Sequence, residues 1–276
     1  MTPTSNPTVL LLPGMTLNAT IFPAFVGAAG GGGASIEADF TTLVASPDGD
    51  LPAGVSRGMD LYADLLDELL ARHEAWKTPN RLVVAHSFGG MLALWWLLRH
   101  QCRGSARIDG LVLLATTAGP MFDAVSLRVA RLGPIDLRMP VTPTVRWWNR
   151  PAVTRFVKRL HSGGTLDIRR VDFQQLKRNS DLAMDWAGWR NTDWRAMRTF
   201  RIAMNGFDVR ERLSEVAVPT IVLHGSEDSM FKPEIGKHLA DGLPSAEFRL
   251  VEGAAHGLPL THPAPLIRAM RDLAGW

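Results

Sequence analysis

The feature that most limits what this chain can fold into is a rhythm: short, unbroken apolar runs separated by stretches of helical spacing. TVLLL (Thr8 to Leu12), FTTLVA (Phe40 to Ala45), RLVVA (Arg81 to Ala85), IDGLVLLA (Ile108 to Ala115), TIVLHG (Thr220 to Gly225) and AEFRLV (Ala246 to Val251) read as strands. Runs this apolar leave no face for water, which is the pattern of a parallel sheet covered by helices on both sides. Between them, 59–72 sets Leu61, Leu65, Leu66, Leu69 and Leu70 on one stripe, and 263–273 repeats the idea with Leu266, Ile267, Met270 and Leu273. Such helices bury one face. The stretch 88–99 is apolar almost all round, through Met91, Leu92, Leu94, Trp95, Trp96, Leu97 and Leu98, so it belongs in the core. The expected class is α/β: a mostly parallel central sheet flanked by helices.

From Gly119 to Met204 the rhythm stops, giving way to helical patterns with no convincing strand. Asn149 and Pro151 mark a helix start that carries Val153, Phe156, Val157 and Leu160 to a stop at Gly163 and Gly164. This reads as a helical cap, 119–204, inserted into a core made of 1–118 and 205–276. A chain of 276 residues, 46% apolar, is long enough to bury such a core. The cap also differs in charge. Between Pro120 and Arg201 stand fourteen Arg and two Lys against seven Asp and no Glu, a net of +9 in a chain whose total is +3. That imbalance suits either an anionic substrate or acidic carrier protein, or simply solvated helix faces.

The single cysteine, Cys102, rules out an intramolecular disulfide framework and any cluster built on cysteines, as in a reducing compartment. MTPTSNPT at the start lacks a basic n-region and the apolar run after it is short, so a cytoplasmic location is expected. GAAGGGGAS (Gly27 to Ser35) has neither the GKS/T ending of a phosphate loop nor a GxGxxG after a strand, and reads as a flexible connection.

Four stretches carry candidate chemistry. In VVAHSFGGMLAL, Ser87 stands where a buried strand stops and the core helix begins, followed by Gly89 and Gly90. A sharp strand-to-helix turn presents a serine hydroxyl in a strained conformation, as a nucleophile requires; an N-cap serine is the plainer alternative. The usual motif begins with glycine, and here Ala85 adds one methyl. In LLLPGMTLNAT (Leu10 to Thr20), a strand opening at Pro13-Gly14 frees backbone N–H groups, so that Met15 and Phe88 would supply the N–H pair of an oxyanion hole. VPTIVLHGSEDSMFKP (Val218 to Pro233) ends a strand in a turn bearing Glu227 and Asp228, either of which could orient an imidazole. VEGAAHGLPLTHP (Val251 to Pro263) places His256 in a small-residue loop with freedom to reach across the sheet. Of the other histidines, His86 is locked beside the turn, His224 ends a strand, His262 precedes Pro263, and His73, His100, His161 and His238 read as exposed.

These four motifs, in this order and spread over nearly the whole chain, resemble the α/β-hydrolase superfamily. The resemblance implies Ser87 as nucleophile, Asp228 as the acid of the HGxxD turn, His256 as general base, and a cap inserted mid-chain. Ala85 for glycine and Pro13 for the histidine usual before the oxyanion glycine are its departures from the pattern. A serine esterase working through an acyl-enzyme follows, with no metal or organic cofactor and a small-molecule ester substrate, and with no nucleic acid or membrane partner. Trp147, Trp148, Trp186, Trp189 and Trp194 in the cap suit either an apolar or aromatic acyl group or the packing of the cap onto the core, and its positive balance suits an anionic substrate. A thioesterase on a carrier-bound acyl group, a lyase or cyclase using the same three side chains, and a non-catalytic ligand receptor are the competing expectations.

Overall fold

The computed structural model describes residues 7–15, 21–22, 34–39, 58–77, 79–101, 108–120, 126–132, 135–140, 194–228 and 230–274. The main sheet has six strands: β1 Thr8–Leu12, β2 Ser35–Glu37, β3 Arg81–His86, β4 Gly110–Leu114, β7 Thr220–Gly225 and β8 Ala246–Val251. They lie in the order β2-β1-β3-β4-β7-β8, and every pairing is parallel. Five of the six expected strands are present; Phe40 to Ala45 lies outside the described residues, as does most of the glycine tract. The tract's last residue, Ser35, instead opens β2, whose only buried side chain is Ile36.

Alternation along each strand divides the core in two. Leu10, Leu12, Val83, Ala85, Leu111, Leu113 and Val222 join one apolar cluster, while Val9, Leu11, Leu82, Val84, Val112, Leu114, Ile221 and Leu223 join the other. Both faces of the central strands are thus dry, each buried large side chain contributing roughly 1.5–3 kcal/mol of transfer free energy. The first cluster is closed by α1 Met59–Ala71, α2 Phe88–Gln101, α3 Trp194–Asn205 and α4 Pro233–Gly242; the second by α5 Leu258–Thr261 and α6 Pro263–Ala274.

α2 is buried nearly all round, as its sequence requires. The indole N–H groups of Trp95 and Trp96 leave this apolar helix to Asp60 at 3.0 Å and Asp67 at 2.7 Å on α1, and Arg99 meets Asp64 at 2.5 Å. His100, expected to be exposed, instead sits 2.8 Å from Asp67. The buried stripe of α1 is rotated from the expected leucine stripe: it runs Met59, Tyr62, Ala63, Leu66, Leu70, with Leu61, Leu65 and Leu69 only partly covered. Tyr62 sets this face, since its ring packs with Phe88 and Phe200 at 4.8 and 5.0 Å.

Within 119–204 one expectation is corrected. β5 Ser126–Leu132 and β6 Ile135–Pro140 form an antiparallel pair, with a register shift between Arg128 and Ala130, where the sequence offered no convincing strand. Its alternation of Ile135, Leu137 and Met139 with Asp136 and Arg138 is a period of two, which favours a strand over a helix. The helix expected from Asn149 and four of the five cap tryptophans lie outside the described residues. Trp194 opens α3.

Among the described residues no helix is long and apolar enough to cross a membrane. The sheet order reverses direction between β1 and β3, and loops at the carboxyl ends of strands around such a reversal form a crevice. Met15, Ser87, Asp228 and His256 all follow strands at that edge.

Candidate active site

Ser87 occupies the one-residue turn between β3 and α2 with φ of 52°, a left-handed conformation that side chains rarely adopt. Neighbouring backbone enforces it. The Ser87 N–H donates to the carbonyl of Leu114 at 2.9 Å, and the Ser87 carbonyl accepts from the Thr116 hydroxyl at 2.7 Å and from the Gly90 N–H at 2.9 Å. Ala115, at the end of the adjacent strand, is left-handed too, with φ of 46°. The two glycines after Ser87 serve close approach: a Cβ on Gly89 would lie 2.2 Å from the Leu12 carbonyl oxygen, and one on Gly90 would lie 2.6 Å from the Thr116 side chain. An N-cap serine needs none of this.

Ala85 has none of the turn's positive φ and pairs as an ordinary strand residue between Leu12 and Leu113, with its methyl fully buried in the first apolar cluster. The departure from glycine is accommodated by packing. Phe88, the first residue of α2, has an N–H beyond the reach of the intrahelical ladder, and its ring is fixed edge-on to Tyr62 and Phe200. Met15 follows the Pro13-Gly14 end of β1, and among the described residues neither its N–H nor that of Phe88 is paired with a backbone carbonyl.

Glu227 is exposed and Asp228 buried, which separates the two carboxylates. Asp228 Oδ1 accepts from the N–H groups of Met230 and Phe231, each at 2.9 Å, and Oδ2 lies 2.9 Å from His256 Nδ1. Burial pushes this carboxyl up, but the imidazole of His256, the side-chain hydrogen bonds from His224 and His256 and the Phe231 N–H together hold it well below the usual carboxylate range. His256 Nε2 in turn lies 3.0 Å from Ser87 Oγ. The loop that brings it there crosses the end of β7 where Gly225 stands, since a Cβ at that position would be 2.2 Å from the Ala254 carbonyl oxygen. Ser226 fastens the same loop by accepting the Gly253 N–H at 2.9 Å.

An acid, an imidazole and a hydroxyl are therefore linked in series, the hydroxyl on a strained turn. Residues 56–263 match the family model described as the alpha/beta hydrolase fold. The chain belongs to that family.

RutD of Pseudomonas syringae pv. syringae, a putative carbamate hydrolase, is 35% identical over 69 residues, or 25% of this chain; the match spans only 27% of that curated relative's length. The crystal structure of MGS-M2, an alpha/beta hydrolase enzyme from a Medee basin deep-sea metagenome library, aligns with TM-score 0.67 at 16% identity, covering 100% of this chain and 92% of the other. The esterase EaEST from Exiguobacterium antarcticum aligns at TM-score 0.66 and 17% identity, over 99% and 93% of the two chains. At such identities the likeness is one of fold.

Two further residues of this alpha/beta hydrolase touch the series and were not singled out by its sequence. His86 is fully buried, and burial first, then the neighbouring His256, pushes it down to about 3. His224 is fully buried as well, with Nε2 3.4 Å from Asp228 Oδ2. The available signal was a histidine ending an otherwise apolar strand, immediately before Ser87 in one case and Gly225 in the other. Thr116, on the Ser87 carbonyl, left no signal at all.

Proposed function

We propose that the chain is a serine hydrolase that cleaves a carboxylic ester through an acyl-enzyme. The observation that carries this reading is the linked geometry of Ser87, His256 and Asp228, at 3.0 and 2.9 Å, with the serine at positive φ. As Ser87 Oγ attacks the ester carbonyl carbon, its proton passes to His256 Nε2, while Nδ1–H stays hydrogen-bonded to Asp228, which steadies the imidazolium. The carbonyl oxygen takes up the negative charge and turns toward the N–H groups of Met15 and Phe88. Collapse breaks the bond to the alcohol oxygen, which leaves with the proton from His256. Water then repeats the sequence on the acyl-enzyme, giving up a proton to His256, and Ser87 departs reprotonated with the free acid released.

The substrate class is an apolar or aromatic ester carrying an anionic group, supported by the tryptophans and the positive balance of 119–204. A carbamate is the second reading, favoured by the similarity to the putative carbamate hydrolase and accessible to the same attack on a carbonyl. The test is a p-nitrophenyl acyl-ester series, run beside a thioester, a lactone and an aryl carbamate, with wild type and Ser87→Ala. Turnover of the oxoesters with a loss of about 10³-fold or more in kcat for Ser87→Ala supports the proposal. Unchanged turnover in Ser87→Ala sinks it, and turnover of the carbamate alone moves the assignment to the second reading.

A further inference from the structure

Two histidines that the proposed chemistry leaves unused stand on either side of the His256–Asp228 pair. His86 Nε2 lies 2.9 Å from the backbone carbonyl oxygen of His256, and the two rings are 5.0 Å apart. A carbonyl only accepts, so Nε2 carries the proton and Nδ1 is bare. His224 repeats the arrangement on β7: its Nε2 lies 3.0 Å from the Phe231 carbonyl oxygen, with Asp228 Oδ2 3.4 Å away. Among the described residues, neither of the remaining buried nitrogens, His86 Nδ1 and His224 Nδ1, has a hydrogen-bond partner.

A desolvated nitrogen without a partner opposes folding, and a leucine of similar volume at either strand end would remove that opposition. Two such nitrogens beside one histidine–carboxylate pair therefore call for a reason other than filling the core. The reason lies in what the two donors grip. His86 holds the main chain of the residue that must reach Ser87, from the position directly before Ser87, so one side chain ties the nucleophile's strand to the base's loop. His224 holds the Phe231 carbonyl of the turn that cradles the carboxylate orienting the base. Gly236 on α4 makes room for this ring, since a Cβ there would come within 2.3 Å of His224 Nδ1. A neutral donor is needed at His86. A permanent cation at His86 would sit beside His256 and oppose the protonation that general base catalysis demands.

We propose that His86 and His224 are a matched pair of positioning residues that donate from Nε2, one gripping the main chain of the base and the other the turn of the acid that orients it. The proposal rests on the serine hydrolase reading for its kinetic consequence but not for its structural one.

Two measurements test it. In His86→Leu and His224→Leu, kcat per burst-titrated active site is expected to fall about tenfold or more with KM for a p-nitrophenyl ester within about twofold, because a small misplacement of the base slows chemistry more than binding. His86→Gln, whose amide N–H can reach the same carbonyl, is expected to recover most of that loss. Leucine variants that keep kcat per titrated site within twofold of wild type overturn the proposal, as would a fall matched only by the loss of titratable sites. The second measurement needs no variant to fold. Two-bond ¹H–¹⁵N spectra of ¹⁵N-histidine-labelled wild type are expected to show Nε2–H at both His86 and His224, with His86 keeping a bare Nδ1 and not titrating from pH 5 to pH 8. Loss of the Nε2–H at either residue, or a titration of His86 in that range, overturns the assignment. Should Ser87→Ala retain turnover while these spectra stand, the hydrolase reading fails and the donor assignments survive.

Discussion

The loop that carries Ser87 and the loop that carries His256 meet at 3.0 Å, yet they are held by opposite means. Ser87 is fixed by backbone: its own N–H and carbonyl are paired with Leu114, Thr116 and Gly90, and Gly89 lets the turn lie against the end of β1. His256 is fixed by side chains from far along the sequence, namely Asp228, His86 and, through Gly253, Ser226. The difference suits the roles proposed for the two residues. A nucleophile must not move, so strain at its φ is locked in by strand neighbours. A base must gain and lose a proton in place, so its ring is held at Nδ1 and at the main chain while Nε2 stays available.

Breaking this contrast should have its largest effect at the Ser87 turn. In Gly89→Ala the new methyl meets backbone, the Leu12 carbonyl oxygen at 2.2 Å, which cannot step aside as a side chain can. A stability loss of at least about 3 kcal/mol is expected from urea unfolding, at the upper end of overpacking effects. Gly253→Ala in the base's loop is the matched control: its φ is 71° but nothing lies within 4 Å of a new Cβ, so only the left-handed strain of about 1 kcal/mol applies. Equal losses at the two glycines would erase the distinction.

A smaller effect sharpens the same comparison through pH. His86 is held neutral in the folded chain down to about 3, against an ordinary value of 6.5. As pH falls through that ordinary value the unfolded chain takes up a proton at this residue and the folded chain does not. Its contribution is therefore harmless above pH 6.5 and destabilises progressively down to about pH 3. Asp228 adds to the decline only at lower pH, because its carboxyl is held below its ordinary 3.8. In His86→Gln the fall in unfolding free energy between pH 6 and pH 4 should be shallower by up to about 1.4 kcal/mol per pH unit. A slope unchanged from wild type would mean that His86 is protonated in the folded chain.

The smallest effect is expected at Ala85→Gly. The lost methyl is buried, so a destabilisation of about 1 kcal/mol should appear in the melt, while kcat changes less than about twofold. A large change in kcat would show that the methyl helps to aim Ser87.

The contrast also explains what the sequence disclosed. Runs such as TVLLL and RLVVA are buried on both faces, and such burial leaves an unambiguous apolar signature; the serine turn is legible because its contacts demand glycine at fixed offsets. β2 escaped notice because only Ile36 of its three residues is buried. The β5–β6 pair was concealed by arginines set among its apolar residues, which read equally as one face of a helix. The buried stripe of α1 departs from its leucine pattern because the Tyr62 ring, stacked on Phe200, faces inward. At the site, Ser87 and His256 were readable from their loops, and the choice of Asp228 over Glu227 was made by the family pattern. The gripping roles of His86, His224 and Thr116 depend on contacts between strand ends and loops that no local spacing encodes.

The central claim, that His256 and Asp228 make Ser87 a nucleophile, is tested most directly by fluorophosphonate labelling followed by peptide mass spectrometry. Wild type should carry a single adduct, on Ser87, and His256→Ala should label at least about a hundredfold more slowly. An adduct on another residue, or equal labelling rates with and without the His256 imidazole, would contradict the account.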